Sequence, residues 1–300
     1  MEQNQHAAAG PDTAGGIFRV AVAALIWGAA YPLTKDVLDL VPPITLGFLR
    51  FLIATIILLA ATRSLPLQGV LREDRRTMFS LGFWGIFVLI LGMNYGLKWA
   101  PGIAASLISG TPPLFTVFLA KAYLKEPILP RHVAAIVLAI PGGLLLAGDP
   151  ELVTGSLWLA LAGSALVTIP QFSWAMYGVM GKGIVSRYSW PLICRDTFFF
   201  GTLLLFPAAA IECGLQGIGI WNAKAIGVLL YLGIANSVIT YSLWNSALAR
   251  IPVSTASFVL YLQPISGAIL SAYLFNERLG WVGMSGAMLL FGALFLVIRK

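Results

Sequence analysis

Apolar residues run along this chain in ten long blocks, near 18–37, 43–62, 77–98, 102–124, 131–148, 155–181, 189–212, 224–248, 252–275 and 279–298. A hydrocarbon core about 30 Å thick is crossed by roughly 20 helical residues, so each block can make one crossing. The blocks are continuous and do not alternate apolar with polar, which excludes the strands of an outer-membrane barrel. Within hydrocarbon a backbone must satisfy its own hydrogen bonds, and a helix does so. The pattern predicts an all-α membrane protein with ten transmembrane helices.

Little else remains. Met1 to Gly16 is polar and is expected to be a disordered cytoplasmic tail, and the loops are too short to hold a soluble catalytic domain. The first block resembles a signal peptide in following Arg19. Its length, the presence of Trp27 and Tyr31, and the lack of a processing site before Lys35 favour a retained helix.

Composition agrees: 59% of residues are hydrophobic, only 10% are charged, and mean hydropathy is +0.88. A formal net charge of +7 raises nucleic acid as a partner, yet the basic residues are dispersed over loops and read instead as topology signals. On one side fall Arg19, Arg63, Arg72, Arg75, Arg76, Lys121, Lys125, Arg131, Lys182, Arg187, Arg250, Arg299 and Lys300; on the other, only Lys35, Lys98, Lys224 and Arg278. The excess marks the cytoplasm, so a multi-pass inner-membrane protein with both termini cytoplasmic is expected.

The chain repeats itself. An offset of 151 aligns Asn94 with Asn245, Pro101 with Pro252, Ser106 with Ser257, Pro113 with Pro264 and Glu126 with Glu277; offsets of 147 and 145 align Trp27 with Trp174, Lys35 with Lys182, and Arg50 with Arg195. Two five-helix halves follow, 17–149 and 150–300. Five is odd, so the second half enters the membrane upside down, an arrangement used by transporters.

Both halves place a proline inside an apolar helix thirteen residues before a glutamate: Pro113 before Glu126 and Pro264 before Glu277. Thirteen helical residues rise about 20 Å, which puts both prolines near midplane if the glutamates mark surfaces. Each removes a helical donor, from the carbonyls of Ser109 and Leu260 respectively. Interrupted helices at matching positions of two halves point to a binding site.

Helical spacing adds faces. Trp27, Tyr31 and Lys35 lie at i+4 steps, as do Trp174, Gly178 and Lys182 with Tyr177 alongside; Ser254, Ser257, Tyr261 and Pro264 form another stripe, matched by Ser106, Gly110 and Pro113. These faces nominate Trp27, Tyr31, Asn94, Tyr95, Ser106, Ser109, Trp174, Tyr177, Tyr241, Asn245, Ser257, Tyr261 and Gln263 for substrate contact, with Pro113 and Pro264 as hinges. Rings can equally pack in the core. Trp158, Trp190, Trp221 and Trp281 sit near block ends and suit interfacial belts. Arg50 and Arg195 either clamp a substrate carboxylate or snorkel and pair, and Asp196 stands beside Arg195. Glu126 and Glu277 are expected to cap or pair at helix ends.

On these residues the chain resembles the EamA-type transporters of the drug/metabolite transporter superfamily, over about residues 18 to 298. The Pro…Glu layout ending helices four and nine and the run Asn276-Glu277-Arg278 carry the resemblance, and the aromatic faces look most like the bacterial aromatic amino acid exporters. The resemblance implies a small-metabolite carrier, often an exporter, with a cavity lined by helices one, three, four, six, eight and nine. Lys125-Glu126-Pro127 departs from Asn276-Glu277-Arg278, so the two glutamates need not share a role.

The chain carries no HExxH or GxSxG motif, and its histidines are His6 and His132, so neither an enzyme nor a cofactor is expected. Cys194 and Cys213 share one block and suggest core thiols, with no disulfide or metal site. A channel would need a charge ring or carbonyl filter. The expected function is secondary export of small amphipathic metabolites, foremost aromatic or bulky amino acids, by alternating access. No acidic residue falls mid-block, so obligatory ion coupling is not expected; a proton-coupled multidrug or other metabolite exporter is the alternative. Partners are a small molecule and membrane lipid, and the oligomeric state is open, a monomer being compatible.

Overall fold

The computed structural model describes residues 13–63, 73–124, 128–185, 187–248, 250–251 and 259–298. The first half contains α1 (Thr13–Lys35), α2 (Pro43–Ala61), α3 (Arg75–Trp99), α4 in two segments (Gly102–Ile108 and Pro112–Leu124) and α5 (Pro130–Ala147). The second contains α6 (Leu157–Val185), α7 (Trp190–Gln216), α8 (Ala223–Leu230, Tyr231–Ile239 and Thr240–Leu248 in succession), α9 (Leu262–Phe275) and α10 (Trp281–Ile298). Eight of these are long and apolar enough to cross a membrane, and the two shorter ones, α9 and α10, complete a ten-helix bundle. Large apolar side chains such as Leu215, Ile140 and Phe206 stay exposed on the outside, where hydrocarbon accepts them.

Packing follows a two-fold plan. Contacts of α1 with α8 and α9 are matched by contacts of α6 with α3 and α4, and α2 on α8 is matched by α7 on α3. The pairs α2·α7, α4·α9 and α5·α10 map onto themselves. Exchange of the halves therefore preserves the contact scheme, as expected of inverted repeats.

Glycines set how closely some helices approach, as small residues do in membranes. A Cβ on Gly163 of α6 would stand 2.4 Å from the amide nitrogen of Ala100, and one on Gly28 of α1 would stand 2.0 Å from Ser266 Oγ and 2.5 Å from the Gln263 carbonyl of α9. Neither helix pair can close on a larger residue without shifting.

Two features of α3 and α8 were not visible in the hydrophobic pattern. Each carries a π-helical stretch, Phe83–Val88 and Tyr231–Ile239, at related places in the two halves. A π stretch inserts a residue and redirects carbonyls and side chains, often at functional sites. Here the freed carbonyls take donors from the facing helices: Ser173 Oγ of α6 donates to Trp84 O, and Trp27 Nε1 of α1 donates to Asn236 O at 3.2 Å.

The interruption of α4 is real, but the polar groups at the proline breaks are less open than proline alone suggests. At α4 the chain tightens: Gly110 N donates to Leu107 O at 3.2 Å and Thr111 N to Ile108 O at 3.0 Å. At the head of α9 the carbonyl of Leu260, expected to be left without a donor, accepts from Gln263 N at 2.9 Å. A three-residue turn replaces the bond that Pro264 removes.

Candidate functional site

The central feature is a cluster of rings drawn from both halves. Trp27 of α1 meets Trp174 of α6 and both Tyr241 and Trp244 of α8, each with centroids 5.9 Å apart. Trp174 stacks on Tyr177 at 5.2 Å and meets Tyr241 edge-on at 5.7 Å. Phe198 of α7 continues the series, 5.1 Å from Tyr241 and 5.2 Å from Phe51 of α2. Each such pair adds about 0.5–1.5 kcal/mol beyond burial. Thus four of the nominated residues, Trp27, Trp174, Tyr177 and Tyr241, converge. Tyr31, one turn along α1, is buried and accepts a hydrogen bond from Gln171 Nε2 of α6 at 2.9 Å.

Arg50 of α2 lies at the edge of this cluster and is 5% exposed, so it does not snorkel. Its Nε donates to Ser237 Oγ at 3.0 Å and its Nη2 to Asn236 Oδ1 at 2.6 Å. Both acceptors lie in the π stretch of α8, and the same Asn236 receives Trp27 through its carbonyl. The guanidinium rests over the Phe51 ring at 4.8 Å. Among the described residues no carboxylate pairs with Arg50. Its counterpart Arg195, 2% exposed, pairs with Asp196 at 2.8 Å.

Two other nominated residues, Asn94 and Tyr95, bond near the start of α2. Asn94 Nδ2 donates to Pro43 O at 2.7 Å, and Tyr95 OH to Glu212 Oε1 at 3.0 Å. The buried Glu212 carboxylate also accepts from Ile44 N at 3.1 Å, Thr45 N at 2.7 Å and Thr45 Oγ1 at 2.9 Å. Asn94, Tyr95 and Glu212 together fix the start of α2, where free amides and the helix dipole favour an anion. Glu277 does the same for α4, accepting from Gly102 N and Ile103 N at 2.7 Å each. Asn276 makes this possible by ending α9 in the left-handed region at φ 51°, which turns the next residue back toward α4. Burial pushes the Glu277 carboxyl above its ordinary range, while the Ile103 and Gly102 amides and nearby Lys35 pull it down.

Ser106 is buried in the seam between α4 and α9, its Oγ 3.2 Å from Ser271 Oγ. Ser109 Oγ donates to Ser106 O at 2.6 Å, and Gln263 Nε2 approaches Ser109 Oγ at 3.5 Å. Tyr261 packs with the apolar cluster that includes Ile103, Leu107 and Leu290. Pro264 is buried against Gly110 and Pro113 is half-buried. Gly28, the neighbour of Trp27, packs against Gln263 and Ser266 beside the α9 break. Ser257 and Glu126 lie outside the described residues, as does the side chain of Asn245. No group of three metal-ligating side chains occurs among the described residues.

The ten-helix bundle has two-fold contacts and gathers rings from both halves. The EamA-like transporter family model matches it twice, over residues 14–148 and 161–299. The chain belongs to the EamA-like transporter family. It is a transporter and not an enzyme. It is 26% identical to an uncharacterized transporter of Archaeoglobus fulgidus, over 94% of this chain and 96% of the relative. It is 27% identical to a probable amino-acid metabolite efflux pump of Escherichia coli, over 91% of each. A probable terminal-alkyne amino-acid exporter of Streptantibioticus cattleyicolor matches at 24% identity over 91% of this chain and 92% of the relative. A crystal structure shares the fold with a TM-score of 0.63 at 18% identity, covering 94% of this chain and 96% of that one.

Arg50's setting was only half legible. The sequence raised a carboxylate clamp as one of two readings, but Asn236 and Ser237 were not nominated. They lie three and four residues beyond Gly233, where an added Cβ would stand 3.3 Å from Arg50 O, and so share the face that meets α2.

Proposed function

We propose that this transporter exports small amphipathic metabolites from the cytoplasm, foremost amino acids with aromatic or bulky apolar side chains. The observation that carries the reading is the ring cluster of Trp27, Trp174, Tyr177 and Tyr241, contributed by α1, α6 and α8 and so by both halves. Relatives named as an amino-acid metabolite efflux pump and an amino-acid exporter support the substrate class. The halves, 17–149 and 150–300, move against each other with bending near Pro113 and Pro264, and both termini face the cytoplasm.

Transport runs without obligatory ion coupling. The buried carboxylates Glu212 and Asp149 already serve backbone amides, those of Ile44 and Thr45 and that of Gly280, which supports a structural rather than a proton-carrying role. A substrate gradient created by an imposed pH step alone in proteoliposomes would overturn this.

The deciding experiment is uptake of labelled tryptophan, phenylalanine and threonine into proteoliposomes, with and without unlabelled substrate inside. Saturable, trans-stimulated flux of the aromatic pair is the expected result. Equal flux of threonine would remove the aromatic preference, and no flux of any would remove the amino-acid reading.

A further inference from the structure

We infer that Arg50, oriented by Asn236 and Ser237, is the anion subsite of this carrier, taking the carboxylate of a substrate whose apolar part lies against Trp27, Trp174 and Tyr241. The inference rests on the export reading above and narrows its substrates to organic acids and zwitterions.

A guanidinium offers five N–H donors in a fixed fork. Here Nε serves Ser237 and one Nη2 hydrogen serves Asn236, which leaves the end of the fork, Nη1 with the second Nη2 hydrogen, for a bidentate carboxylate. A buried charge requires compensation, and Arg50 receives neutral oxygens and a ring but no carboxylate among the described residues.

The two-fold relation sharpens the point. At an offset of 145, Arg195 corresponds to Arg50 and Asp196 to Phe51. Where the second half gives its arginine a carboxylate at 2.8 Å, the first half places a phenyl ring at 4.8 Å. The missing counter-charge in the first half is the one a substrate supplies. Because Asn236 also accepts from the Trp27 indole, the carboxylate and the side chain of one small molecule would reach Arg50 and the rings together. The orienting groups come from the other half of the chain, so relative motion of the halves would change the subsite, as release requires.

The test compares ligands that differ in one group. Labelled tryptophan exchange is measured in proteoliposomes clamped at zero potential with potassium and valinomycin, with tryptophan, indole-3-propionate and tryptamine as competitors. Thermal melting of the detergent-solubilised protein with each compound is a second readout. Tryptophan and indole-3-propionate are expected to compete and raise Tm, and tryptamine to be weaker by about tenfold or more, the scale of one lost charge-assisted hydrogen bond. Arg50→Gln should bring the two carboxylates down to the level of tryptamine and leave tryptamine unchanged, with Arg50→Lys between. A merely structural arginine would weaken all three equally, and that result overturns the proposal. So does equal competition by tryptamine in the wild type, which leaves aromatic export standing. If Arg50→Gln does not fold, Arg50→Lys and the wild-type series decide. If no indole compound binds, aromatic export fails and the subsite is judged on leucine against isopentylamine by melting. Leucine alone raising Tm would uphold it, and any other result there would overturn both readings.

Discussion

The seam between α1 and α9 and its counterpart between α6 and α4 are built from related positions, yet they close differently. In the first, glycine faces glycine: a Cβ on Gly28 would meet α9 backbone at 2.5 Å, and one on Gly267 would meet the Gly28 carbonyl at 2.8 Å. The related positions in the second are Ala175 and Thr116. That seam is spanned by rings, Phe172 of α6 meeting Trp84 at 5.6 Å and Phe115 of α4 at 5.9 Å. Beside it lies a cavity of about 400 Å³ bordered by Thr111 and Phe118 of α4, Gly143 of α5 and Ser164 and Thr168 of α6. One seam is thus fixed by backbone proximity and the other by side chains that can change rotamer. Under the alternating access proposed above, the side-chain seam would be the one that opens and the glycine seam the one that stays closed.

The largest effect is expected where the halves differ in charge. Asp196→Ala leaves Arg195 buried, its Nη1 already without a partner, and should cost about 3 kcal/mol, read as a drop in Tm. Arg50 tolerates the same lack of a carboxylate because Asn236 and Ser237 hold it. A neutral result for Asp196→Ala would erase the distinction between the two arginines.

Gly28→Ala comes next. The added methyl lies 2.0 Å from Ser266 Oγ and 2.5 Å from a backbone oxygen that cannot rotate away, so about 2 kcal/mol of overpacking is expected, with slowed exchange. The reciprocal change, Ala175→Gly, removes a methyl and should cost about 1 kcal/mol through helix propensity. Equal melting of the two variants would break the seam comparison. Phe172→Leu should cost a similar amount, about 1 kcal/mol as the lower bound for its two ring contacts, while loosening the α4–α6 seam and changing the rate of exchange more than substrate affinity. Altered affinity with unchanged rate would place the ring at the substrate instead.

Much of this was legible because membranes constrain sequence severely. Ten blocks follow from the length that hydrocarbon demands, and the repeat follows from scarce residue types, Trp27 with Trp174 and Arg50 with Arg195. Shared helical register put Trp27 with Tyr31, and Tyr177 alongside Trp174, but did not show that these rings meet. What failed to show depends on long-range contacts. Asn236 and Ser237 are polar residues in an apolar block until α2 brings Arg50 to them. Glu212 reads as an ordinary end-of-helix acid until α2, 167 residues away, brings Thr45 to it. Helix packing has the same period as cavity lining, so the stripe that nominated Ser106 did not show that Gly267 of α9 lies against it.

The smallest prediction probes the open seam directly. A Cβ on Gly143 would meet nothing within 4 Å, and the position borders the cavity beside α4 and α6. Gly143→Ala should therefore gain the helix propensity of alanine without a clash, about 0.5–1 kcal/mol of stabilisation. Its neighbour Gly142 is different, since a Cβ there would stand 3.0 Å from the Gly286 carbonyl of α10. Gly142→Ala should lose stability although the two residues are adjacent in one helix. If the cavity closes on α5 during the transport cycle, Gly143→Ala would raise Tm yet slow exchange, and the two readouts would move in opposite directions. A variant that gains stability with full exchange would instead leave the space beside Gly143 open in every state, and the inequality of the seams would then belong to α4 and α6 alone.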